Sequence, residues 1–86
     1  MNYQKQTNKQ MTTVNFYEAD YQFESIKTDL NIKSNFIEYK LAKQYEYRPT
    51  EKTLWATIIQ DEEEVARFEF KYGVGIIKKT FNTRGK

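Results

Sequence analysis

Apolar and polar side chains alternate most regularly between residues 54 and 72, and this stretch predicts two β-strands. In residues 54–60 bulky side chains occupy both sets of alternate positions, so we expect a central strand with both faces covered. In residues 65–72 large apolar side chains alternate mainly with charged ones, as in a strand with one buried and one solvated face. The acidic run Asp61–Glu64 between them predicts the turn of a hairpin.

Two glycines follow the second strand. Gly73 and Gly75 stand two residues apart, and glycine adopts positive φ angles readily, so a tight turn or a bulge is expected here. Beyond them, Ile76, Ile77 and Phe81 indicate a short last strand.

Residues 18–30 fit two periodicities. Apolar side chains recur at helical spacing, at Ala19, Phe23, Ile26 and Leu30. Asn15 and Glu18 also have the spacing of a capping box at a helix N-terminus. The alternation of aromatic and charged residues between positions 17 and 23 is the competing strand pattern. We expect a helix from about Glu18 to Leu30.

Residues 34–47 are also ambiguous. Apolar and tyrosine residues alternate with charged ones from Ile37 to Tyr47, which is typical of a strand, whereas Ile37, Leu41 and Tyr45 repeat every four residues, which is typical of a helix. Tyrosine enrichment favours the strand. Arg48 precedes Pro49, and the residue before a proline avoids helical angles, so either element ends there.

Together these patterns predict an α+β fold with one helix packed on a small antiparallel sheet of three to four strands. Trp55, Phe68 and Phe70 are expected to form the core under the stripe of Phe23, Ile26 and Leu30. The chain has 86 residues, enough for one domain with a small core. We expect a disordered segment over residues 1–12, a single domain over residues 13–81 and a basic tail over residues 82–86.

The amino-acid composition limits the kinds of function that the protein can have. The sequence has no Cys and no His, which excludes disulfides, thiolate metal sites and Ser-His-Asp chemistry, so we do not expect an enzyme. The acidic run Asp61–Glu64 lacks the residue spacing of a calcium-binding EF-hand loop. Gly73 and Gly75 lack the continuation of a phosphate-binding loop. We therefore predict no metal site and no cofactor.

Acidic and basic residues are concentrated in different parts of the chain. All twelve acidic residues lie within residues 18–70, whereas residues 71–86 contain only cationic charges. A basic segment next to an acidic body is typical of a polyanion contact, and cations with interspersed rings suit nucleic acid, because the cations neutralise phosphates and the rings stack on bases. The candidate nucleic-acid contacts are the basic residues of this segment: Lys71, Lys78, Lys79, Arg84 and Lys86.

Tyrosines supply the second candidate surface. Tyrosine is enriched at protein interfaces because it is large, fairly rigid and amphipathic. The candidate partner-binding residues are Tyr39, Tyr45 and Tyr47. No apolar run approaches the roughly 20 residues of a membrane helix, and the first residues lack the apolar centre of a signal peptide. We expect no membrane partner and a cytoplasmic location.

Residues 54–76 also carry a resemblance. Trp55 on the first strand, Phe68 and Phe70 on the second, and the Tyr72-Gly73 end with Gly75 form a pattern that resembles one found in small proteins of bacteriophages and mobile elements. That class includes inhibitors of host defence, among them anti-CRISPR proteins. The resemblance implies a protein that binds and inhibits a host protein or defence complex inside the host cell.

The expected function is therefore inhibition by occupation of a surface on a host protein or nucleoprotein complex, without catalysis. The alternative is a nucleic-acid-binding accessory protein that uses the basic C-terminal segment. The two differ in which surface makes the contact, tyrosines in the first and lysines in the second.

Overall fold

A computed structural model describes residues 11–29 and 31–81 of the chain. The elements in chain order are β1 (Thr12–Glu18), β2 (Tyr21–Thr28), α1 (Ser34–Tyr47), β3 (Leu54–Gln60), β4 (Glu63–Lys71) and β5 (Gly75–Phe81). The strands form one antiparallel sheet in the order β2-β1-β3-β4-β5, with α1 packed on one face. The α+β fold with one helix is confirmed, but the sheet has five strands rather than three or four.

The β3–β4 hairpin is confirmed, and β3 is the middle strand of the sheet. The turn is shorter than predicted, because only Asp61 and Glu62 lie between the strands and Glu63 already belongs to β4. Both turn residues have positive φ, 53° and 65°. Two positive φ angles in a two-residue loop match the turn whose twist suits paired strands.

The helix predicted from Glu18 to Leu30 is wrong, because β1 and β2 occupy this stretch as a second hairpin. The helix-like spacing of Phe23 and Ile26 in the sequence has a structural cause. The register passes from the Phe16–Glu24 pair to the Tyr17–Gln22 pair and leaves Phe23 as an extra residue, a β-bulge. The bulge puts Phe23 on the same face as Ile26, and a spacing of three residues imitates a helix. Leu30 lies outside the described residues.

The strand favoured for residues 34–47 is also wrong, because this segment forms α1. Its four-residue repeat is the buried side of the helix, where Ile37 and Leu41 have no solvent exposure. The predicted end of the element is correct. The backbone N–H of Arg48 donates to the carbonyl of Gln44, and Pro49 follows.

The hydrophobic core lies between α1 and the sheet. Its buried apolar residues come from the three strands β1, β3 and β4 and from the helix: Val14, Phe16, Ile37, Leu41, Leu54, Ala56, Ala66, Phe68 and Phe70. Phe68 and Phe70 lie in the core as expected. Trp55 does not, because it alternates with the buried Leu54 and Ala56 and so lies on the opposite face of the sheet.

Gly73 has a positive φ of 86° and lies in the turn between β4 and β5, and Gly75, with a φ of 105°, is the first residue of β5. The Glu38 carboxylate of α1 packs against Gly75, where a side chain would stand. The predicted last strand is confirmed as β5. β1 begins at Thr12, at the edge of the expected disordered segment, and residues 1–10 and 82–86 lie outside the described part. No helix within the described residues has the length and apolarity to cross a membrane.

Candidate protein-binding surface

The solvent-exposed side of α1 carries aromatic residues. Phe36, Tyr39 and Tyr47 are 37%, 57% and 83% exposed, and Lys43 between them is exposed as well. Their spacings of three, four and four residues place all four on one side of a helix, opposite the buried Ile37 and Leu41. We call these four residues the outer stripe.

The outer stripe departs from the usual pattern of a surface helix. Such a helix buries its apolar stripe and presents polar residues to water, whereas α1 buries one apolar stripe and exposes aromatic rings on the other side. At a rise of about 1.5 Å per residue, the stripe from Phe36 to Tyr47 is about 16 Å long. Clustered exposed apolar side chains mark interaction sites more often than single ones do.

The structure separates the three predicted partner-binding tyrosines. Tyr39 and Tyr47 belong to the outer stripe, whereas Tyr45 packs against the core. The Tyr45 ring stacks on Tyr72 of the β4–β5 turn, with 4.3 Å between centroids and 13° between planes. Tyr45 thus joins the helix to the turn, and Tyr39 and Tyr47 are left as candidate contacts.

Tyr72 is tied to α1 by a second contact. Its hydroxyl donates a hydrogen bond to Oε2 of Glu46 at 3.3 Å. The negative charge of Glu46 raises the pKa of Tyr72 above its usual value of 10.0, because it opposes formation of the tyrosinate, and burial and the hydrogen bond act in the same direction. The ring pair and this hydrogen bond fix the C-terminal half of α1 on the sheet.

Sequence reasoning missed Phe36 and Lys43 as members of this surface. The signal was present in their spacing from Tyr39 and Tyr47, but it has meaning only if residues 34–47 are helical. In the strand interpretation, residues 36 and 39 fall on opposite faces. The strand interpretation of residues 34–47 therefore left out two of the four residues of the outer stripe.

The face of the sheet opposite α1 is occupied by a stack of three side chains. The Tyr17 and Trp55 rings are parallel within 10°, with 4.1 Å between centroids. The guanidinium of Arg67 lies 4.4 Å from the Trp55 ring centroid. Tyr17 and Arg67 belong to β1 and β4, which flank β3 on opposite sides, so they cover the two faces of the indole.

Further bonds hold this stack in place. The indole Nε1 donates to the carbonyl of Ala19 at 2.6 Å, and Arg67 Nε lies 3.4 Å from Glu64 Oε2. Because both faces of the indole are already covered, Trp55 offers no free face on which a base could stack.

The structure divides the candidate nucleic-acid residues. Adjacent residues on a strand point to opposite faces, so Lys78 lies on the face of Trp55 and Lys79 on the face of α1. Lys78 stands opposite Glu69, and Lys71 ends β4. Arg84 and Lys86 lie outside the described residues. The three described lysines therefore do not form one patch on a single face.

The acidic turn is not assembled into a metal site in the described part of the chain, where no three acidic side chains converge as ligands. Comparison with known proteins adds no relative, since no protein-family model, no curated protein and no solved structure matches this chain. The surfaces of the molecule are therefore the basis for inferring its function.

Proposed function

We propose that the protein is a non-catalytic binding protein that docks the outer stripe of α1 into an apolar groove of a partner protein. The observation that carries this proposal is the row of exposed aromatic side chains at positions 36, 39 and 47 of the helix. Tyrosine and other aromatic residues supply much of the binding free energy at protein interfaces. The sequence has neither His nor Cys for the commonest catalytic chemistry.

The mode of binding follows from the geometry of α1. A helix that enters a groove uses anchors about one turn apart, which is the spacing of the outer stripe. Lys43 lies between the aromatic anchors, so a groove with an acidic group near its centre fits best. The helix is already folded and held by the core, so docking requires little ordering of the backbone.

The resemblance to small phage and mobile-element proteins supports a more specific version of this proposal. In that version the partner is a host protein or defence complex, and the protein inhibits it by occupying its groove. The alternative, a nucleic-acid-binding accessory protein, has less support from the arrangement because Lys78 and Lys79 point to opposite faces. It is kept as an outcome of the test.

The test is capture of a partner from host-cell lysate with tagged protein, followed by titration with the purified partner. A Tyr39→Ala/Tyr47→Ala variant removes two anchors of the outer stripe. Tyr21→Ala is the matched control, since Tyr21 is 63% exposed but lies at the start of β2. We expect the double variant to bind at least about 30-fold more weakly, because truncating one interface hot spot costs about 2 kcal/mol or more. The control should bind like the parent.

Nuclease treatment and folding controls separate the alternatives. Capture should survive nuclease, and circular dichroism should show that both variants are folded. Equal binding by the double variant would contradict docking through the outer stripe. Loss of capture after nuclease, together with loss in a Lys78→Gln/Lys79→Gln variant, would replace the proposal with the nucleic-acid-binding alternative.

A further inference from the structure

Strand β5 forms one edge of the sheet, and within the described residues it pairs only with β4. Its outer backbone groups are therefore open to another strand. The side chains beside this edge are exposed, with Ile77 at 52% and Phe81 at 66%. Lys78, Lys79 and Thr80 between them are also exposed. This edge is distinct from the outer stripe of α1.

The charged side chains on this edge determine which kind of strand can pair with β5. Lys78 and Lys79 are adjacent and point to opposite faces of the sheet. Neither forms an ion pair with the described part of the chain. A strand added to β5 therefore meets a positive charge on each of its two faces.

Two occupants from the same chain are disfavoured by this charge. A second copy of β5 would bring one lysine pair close to another, and lysines on an edge strand commonly prevent such self-pairing. The chain ends are also unsuitable, since residues 1–10 contain Lys5 and Lys9, residues 82–86 contain Arg84 and Lys86, and neither segment has an acid. The best occupant has the opposite charge.

The other edge strand, β2, is less available for such pairing. Its Glu24 side chain is bound to Lys40 of α1 at 2.8 Å, and its Ser25 hydroxyl donates to Oδ1 of Asn15 at 2.7 Å. The Phe23 bulge also bends the strand. β2 carries one exposed lysine, Lys27, whereas β5 carries the adjacent Lys78 and Lys79, so β5 is the edge that offers a cationic side chain on each face of the sheet.

We propose that the β5 edge binds an extended acidic segment of a partner protein as a sixth, antiparallel strand. The segment carries two consecutive acidic residues, because only consecutive residues reach both faces of the sheet to meet Lys78 and Lys79. Apolar residues flank the acidic pair and cover Ile77 and Phe81. Backbone hydrogen bonds supply affinity, and the acidic pair sets the register.

Synthetic peptides test this proposal on the full chain by fluorescence anisotropy. The probe is a labelled peptide of sequence SVTEEITS, and its matched control is SVTQQITS. We expect the acidic peptide to bind about fivefold more tightly at low salt, as expected for two exposed ion pairs. N-methylation of alternate amides in the acidic peptide keeps its charge but removes strand hydrogen bonds, and should weaken binding by about fivefold or more.

Variants of the chain locate the site. Lys78→Gln/Lys79→Gln should remove the preference for the acidic peptide, and Lys78→Glu/Lys79→Glu should transfer it to SVTKKITS. If the charge-reversed variant does not fold, the neutral one suffices, since it leaves both positions uncharged. The Tyr39→Ala/Tyr47→Ala variant should bind the acidic peptide like the parent, which separates this inference from the proposed function of α1.

Several results would overturn the proposal. Equal affinity for SVTEEITS and SVTQQITS would remove the role of charge, and equal affinity for the N-methylated peptide would remove strand pairing. Sedimentation of the parent as a dimer that dissociates in the Lys78→Glu/Lys79→Glu variant would show that a second copy occupies the edge. Binding of a deoxythymidine oligonucleotide but of no peptide would assign the lysines to nucleic acid.

Discussion

The ring of Tyr17 lies parallel to the indole of Trp55, 4.1 Å away on the face of the sheet opposite α1. The indole N–H also reaches the carbonyl of Ala19 in the β1–β2 turn. Ala19 has a positive φ of 53°, and its own N–H donates to the carbonyl of Thr53. Trp55 therefore does two things, since it covers the sheet and it holds a turn whose backbone conformation is unfavourable for alanine.

Trp55→Phe is expected to lower the free energy of unfolding by about 1 kcal/mol, the usual net contribution of a hydrogen bond. The phenyl ring can still stack on Tyr17, but the Ala19 carbonyl loses its donor. Urea denaturation followed by circular dichroism measures the effect. Tyr17→Phe is the control, since it keeps the stacked ring, and it should change stability little. Equal stability of Trp55→Phe and the parent would mean that the bond to Ala19 contributes nothing.

Phe68→Ala is expected to cost about 3–5 kcal/mol, because a large ring is removed from the core and leaves a cavity. Phe68 is only 3% exposed. A domain with a total stability of about 5–15 kcal/mol would be largely unfolded by the upper part of that range. Thermal denaturation provides the measurement.

The control for that change is Phe81→Ala. Phe81 meets Phe68 edge to face at 6.0 Å between centroids, but it is 66% exposed, so its loss should cost about 1 kcal/mol. Similar melting temperatures for the two variants would show that the buried and exposed rings had been assigned wrongly.

Glu62→Gly is expected to stabilise the protein by about 1 kcal/mol, because glycine adopts the positive φ of this turn position without steric cost. The φ of Glu62 is 65°. Glu63→Gly is a matched control that removes the same charge one residue later. Glu63 lies in β4, where glycine weakens the strand, so this variant should be less stable than the parent. A loss of stability in Glu62→Gly would contradict the turn geometry.

Tyr72 is expected to make stability fall at high pH. Its folded pKa lies above the unfolded value of 10.0, chiefly because of the Glu46 charge, so the folded state keeps its proton when the unfolded state releases it. This contribution is complete below pH 10 and is lost as the pH rises through the folded pKa. Titration of tyrosine ionisation by absorbance, compared between the parent and Tyr72→Phe, identifies the contribution of Tyr72. In a Glu46→Gln variant Tyr72 should ionise at lower pH than in the parent. An unchanged titration would exclude Glu46 as the cause of the raised pKa.

Local signals in the sequence determined the β3–β4 hairpin and the glycine turn before β5, and they located the acidic turn, although it has two residues rather than the four predicted. Each depends on residues close together in the chain, with alternation on the strands and turn chemistry between them. The stop after Tyr47 belongs to the same group, since Pro49 ends a helix or a strand alike. These elements need little information from the rest of the fold.

The tertiary structure alone decided residues 12–28 and 34–47, whose periodicities fit both a helix and a strand. The Phe23 bulge moved a strand residue to the core face and so imitated helical spacing. In α1 the exposed tyrosines imitated a strand, although Ile37 and Leu41 at helical spacing are the residues that the core buries. Packing resolved both segments, because a pattern shows only which residues can share a face, and the sheet decides which of those faces is covered.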